Sequence, residues 1–209
     1  MSLPATNSSE SVGLGQAFVD PVLDSQAVFR AVMSALAEPG TVHQLDQELQ
    51  APGNLHPTAA RLLLALADFE TPIWLSPALS ETCTRWISFH TGAPIVCPPA
   101  DAKFAVLDGQ DAAHALAAFD PGEERYPDKS ATLIVQVASF VGGDAVTLSG
   151  PGIATTRSIA PAGLHAGFWS QAVTNHGRYP LGIDMLFVAG DALMGLPRST
   201  AITRAGGDN

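Results

Sequence analysis

Three places in this chain carry residues whose type and spacing bear on chemistry: a glycine-rich turn, a carboxylate inside an apolar strand, and an arginine on a short helix. The turn is Ser149-Gly150-Pro151-Gly152, which follows a strand-like run. Glycines after a strand can bring backbone N–H groups close to a phosphate. Pro151 removes one such donor, and neither G-x-x-x-x-G-K-[ST] nor G-x-G-x-x-G is present, so a tight structural turn is the stronger reading of Gly150 and Gly152. Asp184 sits within YPLGIDMLF, where a lone carboxylate is costly unless paired. Arg198, Arg178 or Arg157 is available to neutralise it, and a ligand-facing carboxylate is the alternative. Arg30 lies in FRAVMSALAEPG, Phe29 to Gly40, on the polar side of a helix with Gln26, Ser34 and Glu38. It reads either as a solvated arginine or as one held out for an anion or a partner subunit.

Other chemistries find little footing. There is no G-x-S-x-G elbow, and Ser149 ends a strand with no helix behind it. The six histidines, His43, His56, His90, His114, His165 and His176, are scattered singly, without the local spacing that zinc sites display. A pyridoxal phosphate enzyme needs a lysine amine for the cofactor aldehyde. Only Lys103 and Lys129 exist, and both read as solvated strand-entry residues. Cys83 and Cys97 lack CxxC spacing, which suggests buried free thiols in a reducing cytoplasm. Neither a signal-peptide pattern nor an apolar run of roughly 20 residues is present, so no membrane contact is expected.

The elements that must position these groups follow from periodicity. Val28, Val32 and Leu36, with Phe29 and Met33 beside them, predict a core-facing helical stripe that Asp24 or Ser25 caps and Pro39-Gly40 ends. Val42 to Leu45 reads as a short strand. Pro57 opens a second helix, PTAARLLLALADFE, whose only charge before Asp68 is Arg61; its apolar flanks must be covered on both sides. Pro72 to Leu75 is a strand, and Ser80-Glu81 begins a third helix that stops at Gly92. Ile95 to Cys97 and Phe104 to Leu107 are strands, and Asp111 to Phe119 a helix. Ala131 to Phe140 and Ala145 to Ser149 are predicted to form a hairpin around Gly142-Gly143-Asp144. A weaker strand spans Arg157 to Ala160, a helix Leu164 to Val173, and strands Ile183 to Ala189 and Ala192 to Leu196. This order predicts one α/β domain with a mixed sheet and helices on its faces.

With 209 residues the chain suffices for one such domain, here 16–200, between an N-terminal tail at 1–15 and a C-terminal tail at 201–209. A net charge of −10 argues against nucleic acid. Charged residues make up 14 %, well below the roughly 25 % of an ordinary domain, so apolar surface is expected to become subunit interface.

Taken in order, FRAVMSALAEPG, LLALADFETPIWL, FHTGAPI, ATLIVQV, LSGPGI, YPLGID and LPRST resemble the PhnH family of the bacterial carbon–phosphorus lyase system. The resemblance implies a single-domain three-layer α/β sandwich shaped like the large domain of pyridoxal-phosphate-dependent transferases, without that cofactor or any other. It implies a homodimer when isolated and membership of a cytoplasmic core complex with PhnG, PhnI and PhnJ. With PhnL, the PhnG, PhnH and PhnI subunits support displacement of the adenine of ATP by a phosphonate, giving ribose 1-phosphonate 5-triphosphate. PhnJ, with an iron–sulfur cluster and S-adenosylmethionine, later breaks the carbon–phosphorus bond. No catalytic residue is carried over. Arg30 and Arg198, in family-like motifs, become candidates for binding an anion or ligand, and Gly150, Gly152 and Asp184 are candidates beside them. A stand-alone pyridoxal phosphate enzyme is the competing expectation.

Overall fold

In the computed structural model, which describes residues 17–46, 49–111 and 116–204, a six-stranded mixed sheet runs through the centre. The first helix, α1 (Pro21–Ala37), starts earlier than either predicted cap because Asp20 accepts from the N–H groups of Val22 and Leu23, with Pro21 at the first turn. The Asp24 carboxylate returns to the Asp20 N–H at 3.0 Å, completing a reciprocal cap. After β1 (Val42–Gln44), α2 (Pro57–Leu66) opens on Pro57 and stops as the chain turns extended at Ala67. Strand β2 (Ile73–Leu75) and α3 (Glu81–Thr91) follow, and Gly92 ends α3 in the left-handed region. Next come β3 (Phe104–Asp108), β4 (Thr132–Gln136), β5 (Val146–Ser149), β6 (Arg157–Ile159), α4 (Phe168–His176), β7 (Asp184–Ala189), β8 (Ala192–Leu196) and β9 (Ala201–Arg204).

The main sheet has the order β1-β8-β7-β4-β3-β2. Strands β2, β3, β4 and β7 are parallel, while β8 and β1 add antiparallel at one end. Alternate residues feed two separate cores. Ile73, Val106, Ile134, Leu186 and Val188 pack under α1, α2 and α3. Leu107, Leu133, Val135, Met185 and Phe187 face a layer built from α4 and a second sheet, β6-β5-β9. Both faces are therefore covered, as a parallel sheet requires.

The predicted β4–β5 hairpin does not form. Both edges of β4 are occupied by parallel partners, β3 and β7, and Leu133, Ile134 and Val135 are fully buried. The chain leaves the sheet after Gln136, and β5 pairs with β6 and β9 instead. The Ile95–Cys97 strand reduces to a single bridge between Ile95 and Ile73. The helix expected from Leu164 begins only at Phe168. Of the predicted helix at 111–119, residues 112–115 lie outside the described residues and Leu116–Ala118 form a 3-10 turn. Residues 201–204, expected in a C-terminal tail, form β9; the expected tail at 1–15 lies outside the described residues. Cys83 is buried as expected, but Cys97 is exposed.

Phe29 and Met33 also depart from expectation. On α1 only Val28, Val32 and Ala35 are buried, while Phe29 and Met33 are 51 % and 53 % exposed. The sheet below takes one narrow stripe of α1, and α2 takes its flank. Among the described residues no helix is long and apolar enough to cross a membrane.

Candidate functional site

Asp184 begins β7 and Arg198 follows β8, so the β7–β8 hairpin brings the two together at the amino edge of the parallel strands. Arg198 Nη2 donates to Asp184 Oδ2 at 2.7 Å, and Nε donates to Oδ1 at 3.2 Å. The Arg198 backbone N–H donates to the same Oδ1 at 2.8 Å, and Nη1 donates to the Pro127 carbonyl at 2.6 Å. This bidentate fork, 15 % and 20 % exposed at its two side chains, ties the turn after β8 to β7 and to the 127–129 turn. Of the three arginines open to Asp184, Arg157 binds the Pro39 carbonyl at 2.6 Å instead, and Arg178 lines a separate pocket of about 260 Å³ with Gln171 and Thr174.

Gly150 and Gly152 are turned toward the protein itself. A side chain on Gly152, at φ +81°, would meet the Ala37 carbonyl oxygen at 2.0 Å; one on Gly150, at φ +126°, would lie 3.2 Å from the Ser199 carbonyl oxygen. The turn clamps the end of α1 against the segment that carries Arg198. Close backbone approach requires glycine at 152, and the positive φ favours it at 150, which supplies a local structural reason for both residues. Arg30 is not part of this cluster. It is exposed on α1, where Nη1 donates to Gln26 Oε1 at 3.3 Å.

Ligands of open α/β sheets usually sit at the carboxyl ends of the strands. Here that edge is spanned by a polar network that sequence reasoning did not anticipate. Gln136, at the end of β4, accepts from the His56 backbone N–H at 2.6 Å and donates to the Asn54 carbonyl at 3.1 Å. Asn54 in turn donates to the Ala78 carbonyl and accepts from the Ser80 N–H. Ser76, after β2, donates to Asp111 Oδ2 at 2.5 Å. The loop ahead of α2 is thus stitched across the strand ends. His56 Nδ1 is buried without a hydrogen-bond partner among the described residues. No imidazole is hydrogen-bonded to Ser76 Oγ among those residues.

Beside this network lies an open cleft of about 530 Å³, lined in part by Gln44, Asp46, Gln50, Arg61 and Asp191. Arg61, nearly fully buried, donates from Nη1 to Asp191 Oδ1 at 2.8 Å and to Thr58 Oγ1 at 3.4 Å. Thr58 itself holds the Gly190 carbonyl. The lone charge noted in the apolar helix therefore belongs to the tie between α2 and the β7–β8 turn. Among the described residues this cleft sets two carboxylates against one guanidinium, which disfavours a polyphosphate. Among the described residues no group of three His, Cys, Asp or Glu side chains is placed to hold a metal; His114 lies outside them.

Residues 16–203 match the family model described as bacterial phosphonate metabolism protein (PhnH). A relative from Rhizobium meliloti (strain 1021), the α-D-ribose 1-methylphosphonate 5-triphosphate synthase subunit PhnH, is 38% identical over 189 residues, covering 90% of this chain and 94% of its own. A putative C–P lyase subunit protein, HtxG of Stutzerimonas stutzeri, is 30% identical over 182 residues, or 87% of each chain.

Proposed function

The chain belongs to the bacterial phosphonate metabolism protein (PhnH) family, and from that premise we propose that it is a non-catalytic subunit of a carbon–phosphorus lyase assembly. In this reading it supports transfer of a phosphonate onto the ribose of ATP, with adenine displaced and ribose 1-phosphonate 5-triphosphate formed. The observation that carries the reading is the near full-length match to a synthase subunit. The polar groups give it further support, because each cluster described above is spent on holding loops and turns. Asp184 and Arg198 bind each other, Gly150 and Gly152 lie against backbone carbonyls, and Arg30 is exposed on α1.

Partners of the PhnG, PhnI and PhnJ type, a homodimeric state when isolated and a cytoplasmic setting belong to the same proposal. So does a likeness to the large domain of pyridoxal-phosphate-dependent transferases. The competing enzyme reading fares worse. Lys103 precedes β3 and Lys129 precedes β4, both at the amino edge, away from the strand ends where such folds bind ligands. Lys103 Nζ donates to the Lys129 carbonyl, and Lys129 Nζ lies over the Tyr126 ring at 4.2 Å.

Growth tests the proposal. A host that lacks its own PhnH-type subunit but carries all other components should use methylphosphonate as its phosphorus source only when this chain is supplied. Normal growth without it, or a borohydride-trapped lysine adduct after incubation with pyridoxal phosphate, would refute the proposal.

A further inference from the structure

We draw no further inference here: the strongest candidate, the outer face of α1 where Val22, Phe29 and Met33 stand exposed, carries nothing because nothing in the structure shows what covers it.

Discussion

Replacing Arg198 by alanine separates a structural arginine from a ligand-binding one. The substitution removes the two side-chain bonds to Asp184 and the bond to the Pro127 carbonyl, while the backbone N–H to Asp184 survives. Removing one member of a buried pair typically costs about 3–5 kcal/mol. Here the side chains are 15 % and 20 % exposed and Asp184 keeps one donor, which lowers the expected cost to about 2–3 kcal/mol. For a chain of this size, about 1 kcal/mol corresponds to roughly 2–4 °C, so the melting temperature should fall by about 4–12 °C. Arg30→Ala, at an exposed helix position, should stay within about 0.5 kcal/mol. Urea and thermal unfolding of both variants measure this directly. A double-mutant cycle with Asp184→Asn should return a coupling of about 1–3 kcal/mol. An Arg198→Ala protein of wild-type stability that assembles normally yet abolishes phosphonate use would refute the reasoning and return Arg198 to an anion site.

Gly152→Ala should destabilise by about 2 kcal/mol or more, because a left-handed φ is combined with a carbonyl oxygen 2.0 Å from the new Cβ. Gly190→Ala, at φ +53° with open space around it, should cost only about 1 kcal/mol, and comparing the two melts isolates the steric part. Gln136→Leu leaves the His56 N–H and Asn54 carbonyl without their partner and should cost about 2–3 kcal/mol by denaturant unfolding, with faster amide exchange at His56. The Thr71 hydroxyl, followed by the Glu70 N–H, holds the Asp68 carboxyl below its ordinary value of 3.8. Its contribution is therefore present above that value and lost as pH falls through the lowered one. Thr71→Val should move the Asp68 titration, followed by NMR, back toward 3.8.

Local signals in the residues were sufficient for most element positions. Proline at the head of α2, Gly92 at the end of α3 and Pro39-Gly40 beyond α1 act within one turn of chain, so their effects are readable without knowing the fold. The β7–β8 hairpin belongs to the same class, because Gly190-Asp191 joins strands that are adjacent in sequence. Asp184 was equally legible as a carboxylate in need of a partner, since burial in an apolar strand carries its cost whatever surrounds it. Which of three arginines would answer was not.

Tertiary structure decided the rest. The run from Ala131 to Phe140 and the run after it look like a hairpin locally, but β3 and β7 occupy both edges of β4, and an occupied strand edge accepts no further partner. Gln136 and His56 meet across 80 residues, and Arg61 and Asp191 across 130, distances over which no periodic pattern extends. The face of α1 shows the division most clearly. Its apolar residues announce that much of the helix must be covered, yet only the packed sheet determines that Val28 and Val32 are covered by this chain while Phe29 and Met33 remain outside. Hydrophobicity specifies a requirement for contact and carries no address; the address comes from which surfaces the assembled fold leaves open.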